Sequence, residues 1–254
     1  MLQIQAIDYQ AFTDVRLIAT DVDGTLTRHH KFTSSLFDAF QKLAEKQVKV
    51  LLVTGRSAGW VSALVNYLPV VGAIAENGGI YLTADGKTEP LVPIPDLTIH
   101  RQQLANIFEN LKQQFPNLNP SSDNRFRLSD WTFDLDGLSS QDLQAIAAFC
   151  EENGWSFTYS TIQCHIKPIG QDKAGGIIQV LEKHFPELTR SQVVTLGDSP
   201  NDESMFNPKF FPRSIGVANV LDYAPQMQYL PTHVMTQAEV EGFYEFAELV
   251  VEAI

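Results

Sequence analysis

The sequence predicts an α/β protein: a parallel-sheet core interrupted by a smaller antiparallel α+β module. Three observations carry that reading. Residues 15–75 alternate short apolar runs with amphipathic stretches, and the same alternation resumes from about residue 173. Between them the pattern changes to two helices, each followed by alternating strands. At 254 residues and 44% hydrophobic content, the chain is long enough to build two modest cores.

Residues 1–14 show no usable periodicity and are assigned no role. Residues 15–20 form an apolar run that reads as a buried strand, ending in Asp21, Asp23, Gly24 and Thr25. Thr33 or Ser34 can cap a helix whose apolar positions, Leu36, Phe37, Phe40, Leu43 and Ala44, fall at helical spacing. A second buried strand at 48–53 ends in Thr54, Gly55 and Arg56, and a helix follows over 57–68. A third strand at 70–75 ends in Glu76, Asn77, Gly78 and Gly79. Strands joined through helices by short connections require a parallel sheet with right-handed crossovers.

Residues 80–98 hold short β-prone pieces broken by Asp85-Gly86 and by Pro90, Pro93 and Pro95. A helix then carries Leu104, Ile107, Phe108, Leu111 and Phe115 on one face and stops before Pro116. Two alternating strands are expected at 125–128 and 131–135, because the apolar parity switches across Ser129-Asp130. Ser139 and Asp142 have the spacing of a capping box, opening a helix through Leu143, Ile146 and Phe149 that ends at Asn153-Gly154. Two further strands follow, with Trp155, Phe157 and Tyr159, then Ile162, Cys164 and Ile166, on one face. The order αββαββ predicts an antiparallel module over 84–167, inserted into a core formed by 1–83 and 168–254. Its polar sheet face would show Arg125, Arg127, Thr132, Asp134, Gln163, His165 and Lys167. The resumed core has a helix with Ile177, Ile178, Leu181 and Phe185, a strand at 192–196 ending in Gly197 and Asp198, and short strands at 214–217 and 232–235.

A net charge of −12 argues against a nucleic-acid binder and against attraction to anionic membranes. A small anionic substrate stays open, because a local pocket can be positive. Cys150 and Cys164 follow no metal-ligand spacing and read as buried thiols, which suits a reducing compartment. The first residues lack the basic start and apolar stretch of a signal peptide, and no run reaches the length of a membrane span. A cytoplasmic protein, monomeric or a small homo-oligomer, is expected.

Ligands of an open parallel sheet bind beyond the carboxyl ends of its strands. Asp21 and Asp23, Thr54 and Gly55, Glu76 and Asn77, and Asp198 and Asp202 all fall at such ends, and Lys173 begins a helix entering the same region. Acidic residues converging from two strands suit a hard dication, Mg²⁺ more than Ca²⁺. Thr54, the amides around Gly55, and Lys173 offer donors and a positive charge to an oxyanion such as a phosphoryl group.

Asp21-Val-Asp-Gly-Thr, Val53-Thr-Gly-Arg, Lys173 and Gly197-Asp-Ser-Pro-Asn-Asp, in this order and spacing, resemble the four motifs of the haloacid-dehalogenase-like (HAD) phosphatases. The insert resembles their smaller C2-type cap, near Cof-like hydrolases and sucrose-phosphate or mannosyl-phosphoglycerate phosphatases. Pro200 departs from the small residue many relatives carry there, without removing a ligand. Another Asp-x-Asp-Gly, Asp134 to Gly137, follows a half-exposed strand, lacks the Thr, and reads as module surface.

The resemblance implies a Rossmann-like core, Mg²⁺ as cofactor, and hydrolysis of a small phosphorylated metabolite, a sugar phosphate or glycosyl phosphate, through an aspartyl-phosphate. It implies Asp21 as nucleophile, Asp23 as acid and base, and Thr54 and Lys173 as phosphoryl holders. Asp21, the Asp23 carbonyl, Asp198 and Asp202 would serve the metal. Gly55, Arg56, Asn77 and Asn201 would contact substrate, with Arg125 and Lys167 added from the cap. A phosphomutase of the same fold, or a non-catalytic phosphate- or metal-binding regulator, remains an alternative.

Overall fold

The strand β1 (Leu17–Thr20) is buried at every position, as a strand with neighbours on both edges and layers on both faces must be. In the computed structural model, which describes residues 9–254, it pairs in parallel with β2 (Lys49–Val53). Between them α1 (Ser34–Glu45) buries Leu36, Ala39, Phe40 and Leu43. The helix α2 (Ala58–Tyr67), capped by Ser57, leads to β3 (Gly72–Ala75), parallel to β2. The sheet then turns antiparallel through β4 (Ile80–Thr83) and β5 (Thr88–Pro90). β5 thus extends the core sheet beyond residue 83, and we propose that the division between core and module falls in the proline-containing stretch that follows it.

The module comprises α3 (Leu97–Gln114), β6 (Trp131–Asp134), α4 (Ser140–Glu152), β7 (Ser156–Tyr159) and β8 (Gln163–Lys167). Its sheet is antiparallel in the order β6-β8-β7. The expected capping box of Ser139 and Asp142 is present. The strand expected at 125–128 is not: residues Ser122–Phe126 form a 3-10 turn instead. The reason is a side chain that takes the place of a strand. Asn124 accepts from the Thr132 amide at 2.9 Å and donates to the Thr132 carbonyl at 2.7 Å, occupying ladder positions beside β6. Backbone pairing with β6 comes from residues 119–121, through Asp134 N to Asn119 O and Ser121 N to Thr132 O, both 3.0 Å. Leu104, Phe108, Phe133, Ile146, Cys150, Cys164 and Ile166 give the module a hydrophobic core of its own. Both cysteines are free and buried there, and burial pushes the Cys150 thiol up to about 12.

The chain re-enters the core with α5 (Lys173–His184), β9 (Val193–Gly197), the short α6 (Glu203–Phe206), β10 (Ser214–Gly216), β11 (His233–Val234) and α7 (Glu239–Ala253). The full sheet order is β11-β10-β9-β1-β2-β3-β4-β5. Its two faces carry separate cores, one beneath α1, α2 and α7 and the other beneath α5 and α6. Residues 1–8 of the unassigned N-terminal stretch lie outside the described residues; Phe12 is fully buried, its ring edge-on to Phe246 at 5.4 Å.

Two glycines let α5 sit against the turn after β3. Gly78 has φ +96°, and a Cβ on Gly176 would lie 2.8 Å from the Gly78 Cα. Backbone cannot yield there as a flexible side chain could. Gly176→Val is therefore expected to cost about 1–3 kcal/mol, the range of overpacked sites. Urea unfolding would measure it, and an unchanged midpoint would contradict the close approach.

Candidate active site

β1 and β9 are parallel neighbours in register, Thr20 beside Leu196, so the residues that follow each strand emerge together. Asp21 donates its amide to the Leu196 carbonyl at 3.0 Å, and Asp198 lies one residue past β9. Gly24, at φ +83°, lets the chain turn beneath Asp198; a Cβ there would lie 2.4 Å from Asp198 Oδ2. Asp202 returns through a 3-10 turn, and its Oδ2 accepts from the Asp198 and Ser199 amides at 2.8 and 3.1 Å.

Lys173, the first residue of α5, reaches between these groups. Its Nζ donates to Asp21 Oδ1 and to Asp202 Oδ1, both at 2.6 Å. All four residues are buried. One oxygen each of Asp21, Asp198 and Asp202 lies within 4.8 Å of the others. Three carboxylates against one ammonium leave two negative charges in a dry site, a donor set that fits one hard dication. Asp202 accepts three hydrogen bonds, against two on Asp198 and one on Asp21, so Asp21 and Asp198 keep the most capacity for direct ligation. Burial pushes Asp21 up to about 7 against the pull of Lys173, and burial with the charges of Asp21 and Asp202 raises Asp198 well above the ordinary range. Burial works against the Lys173 ammonium, yet Asp202 and Asp21 hold it above its usual value.

Sequence reasoning missed two partners of Asp198. Asn219 Nδ2 donates to Asp198 Oδ2 at 2.8 Å and to the Gly24 carbonyl at 3.1 Å. Thr25 Oγ1 donates to Asp198 Oδ1 at 3.4 Å. Thr25 stood in plain view behind Asp23; Asn219 has no local signal, because it arrives from the turn after β10.

The Thr54–Arg56 turn forms the neighbouring wall. Thr54 is buried, and its hydroxyl accepts from the Arg56 amide at 3.1 Å. Arg56 grips Asp23 with two bonds of 2.7 and 2.8 Å. Asn201 donates to Asn77 Oδ1 at 2.9 Å. A cavity of about 10 Å³, near the size of one water, lies among Asp21, Asp23, Thr54, Gly55, Arg56 and Asn201. Its roof is the module: Ser160, Ile162, Gln163 and His165.

The module is tied down over this cavity by buried polar groups. Arg127, expected on a polar face, is fully buried, paired with Asp123 at 2.9 Å and Asp130 at 2.9 Å. It donates to the Gly55 carbonyl at 2.9 Å, joining the module to the Thr54–Arg56 turn. Asp130, held ionised by Arg127 and His165 despite burial, accepts from His165 Nδ1 at 2.8 Å. Burial holds His165 itself below its usual value, hence neutral. Glu76, with φ +54°, accepts from Ala58 N (2.9 Å) in the core and from Leu128 N (3.0 Å), Ser129 N (2.6 Å) and Ser129 Oγ (2.8 Å) in the module. Arg125 lies outside the cavity, exposed and stacked on Phe126 at 4.6 Å. Lys167 lines a separate cleft beside it. The second Asp-x-Asp-Gly, Asp134 to Gly137, sits at the end of β6 with Asp134 exposed.

Residues 18–130 match the family model described as haloacid dehalogenase-like hydrolase. The motifs, this match and the relatives below support a HAD superfamily phosphatase. A phosphoglycolate phosphatase of Methanothrix thermoacetophila is 27% identical over 238 residues, 92% of this chain and 96% of that one. A phosphoglycolate phosphatase of Thermoplasma volcanium is 28% identical over 199 residues, 78% and 83% of the two chains. The solved structure of Thermoplasma acidophilum 0175 superposes on this phosphatase with a TM-score of 0.77 at 24% identity, covering 94% and 99%. The Synechocystis sucrose-phosphatase, solved with sucrose and phosphate, does so at 0.70 and 17% identity, covering 92% and 97%. Both share the fold of this phosphatase.

The carboxylates set a pH dependence whose sign follows from linkage. A group that binds its proton more tightly when folded stabilises the protein at low pH and loses that contribution as pH rises through the folded value. In chelator, the thermal midpoint is expected to fall as pH rises from about 3.8 toward about 7. Saturating Mg²⁺ should remove most of that fall. A midpoint unaffected by Mg²⁺ near neutral pH would contradict the crowded-carboxylate account.

Proposed function

We propose that this phosphatase is Mg²⁺-dependent and hydrolyses the monoester of a small phosphorylated metabolite through an aspartyl-phosphate on Asp21. The observation that carries the reading is the buried Lys173 ammonium, 2.6 Å from both Asp21 and Asp202, with Asp198 completing the acidic cluster. Asp21, Asp198, the Asp23 carbonyl and, as a supporting carboxylate, Asp202 would hold the ion. When bound, Mg²⁺ supplies neutralisation of charge between the attacking carboxylate and the phosphoryl oxygens.

This chain's own groups do the rest. An Asp21 oxygen attacks phosphorus as the ester bond breaks. Lys173 favours the ionised form of Asp21 against the effect of burial, by offering a charge at hydrogen-bond distance. Thr54, the Gly55 amide and Asn201 receive the phosphoryl oxygens. Asp23 gives its proton to the departing alkoxide, then takes one from the water that hydrolyses the intermediate. Arg56 orients the Asp23 carboxylate through its two bonds. The module excludes bulk water while these steps occur.

A sugar phosphate or glycosyl phosphate is the substrate expected from the motifs. The phosphoglycolate phosphatases that resemble this chain over most of its length support a smaller ester.

Asp21→Asn is expected to lower phosphate release by about three orders of magnitude or more, as loss of a nucleophile does. Chelation should abolish release by the native enzyme, and excess Mg²⁺ should restore it. Native rates in the variant sink the nucleophile assignment; full activity in chelator sinks the metal.

A further inference from the structure

Beside the catalytic cavity lies a cleft of about 310 Å³ between module and core, and Asn201 lines both. Lys167 from β8 and Asn77 from the turn after β3 line this cleft, together with Lys173 from α5. Two of its donors lack the partners that burial demands. Lys167 is only 6% exposed, yet its ammonium donates to a neutral group, the Gln171 carbonyl, and forms no ion pair among the described residues. Asn77 is 1% exposed, and its Nδ2 has no hydrogen-bond partner. Its Oδ1 is taken by Asn201 at 2.9 Å, which fixes the amide with Nδ2 turned toward Gly55, 3.2 Å from where a Cβ there would lie. Buried donors of this kind are costly unless an acceptor arrives.

The acids that line the cleft are already engaged. Asp172 caps α5, accepting from Gly175 N at 2.7 Å, and Glu203 accepts from the Gln228 and Tyr229 amides at 2.6 and 3.1 Å. What the cleft offers a ligand is therefore a short line of two donors, the Asn77 amide and the Lys167 ammonium.

We propose that this line of donors binds a carboxylate at the far end of the substrate, making Lys167 the residue that selects short phosphorylated hydroxy acids over neutral phosphate esters. The assignment rests on the phosphatase reading above and adds the substrate's second recognition group. A carboxylate matches one ammonium and one amide; a second phosphate, with twice the charge, would leave its excess unpaired.

The test compares two esters of equal size, phosphoglycolate and 2-hydroxyethyl phosphate, which differ at the far end by a carboxylate against a hydroxymethyl group. The native enzyme is expected to favour phosphoglycolate in kcat/KM by about tenfold or more, the worth of a charge-assisted bond. Lys167→Met should collapse that ratio toward one, and Lys167→Arg should retain most of it. An unchanged ratio in Lys167→Met overturns the proposal. Should that variant fail to fold, the native enzyme decides: glycolate is expected to inhibit competitively where ethylene glycol does not, and equal behaviour of the two overturns the proposal. Native enzyme that hydrolyses both esters equally removes only the carboxylate site, whereas no release from either ester or from p-nitrophenyl phosphate removes the phosphatase reading itself.

Discussion

One ammonium holds the acidic cluster at the carboxyl end of the sheet together. Lys173 Nζ lies 2.6 Å from carboxylates that reach it from two directions, Asp21 off β1 and Asp202 from the turn after β9. Without it, three buried carboxylates would face one another with nothing between them, an arrangement that electrostatics does not tolerate in a dry site. With it, two negative charges remain, the balance a dication closes. The surrounding architecture serves that geometry. Parallel pairing of β1 and β9 sets Asp21 beside Asp198. Gly176 and Gly78 let α5 approach closely enough for its first residue to reach both acids.

The module does more than cover the site. Arg127 reaches from it to the Gly55 carbonyl, and Glu76 reaches from the core to the backbone of residues 128 and 129. These buried bonds cross in opposite directions, so the seating of the module and the shape of the Thr54–Arg56 turn depend on the same contacts. Glu76 has a left-handed backbone, a conformation that costs a non-glycine residue energy and persists where its surroundings over-determine it. Its side chain, with partners in both units, supplies that determination.

The core was legible in the sequence because its signals are local. Asp21, Thr54, Asp198 and Asp202 each follow an apolar run that could only be a buried strand, and ligand-binding groups gather where such strands end. Lys173 followed from its place at a helix start in the same region. The module was less legible because its decisive contacts are made by side chains across long sequence separations. Alternation placed Arg127 on the polar face of the module's sheet, whereas Asp123, Asp130, Gln163 and Gly55 together make it a buried hub. Alternation also suggested a strand at 125–128, and the Asn124 amide displaced it. Asn219 shows the same limit in the core, since only the packing of β10 brings it to Asp198. Asp134 to Gly137 shows the converse: the letters of the motif recur where no buried strand precedes them, and the structure leaves them at the surface.

The central claim is that Asp21 and Asp198, anchored by Lys173 and Asp202, form the seat of a divalent ion beside the nucleophile. Anomalous diffraction from crystals grown in saturating Mn²⁺ tests it directly. The account predicts a peak bounded by the Asp21 and Asp198 carboxylates, with Lys173 still bridging Asp21 and Asp202. A crystal in which that place holds no ion, while the same preparation releases phosphate with Mn²⁺ as its metal, would contradict it.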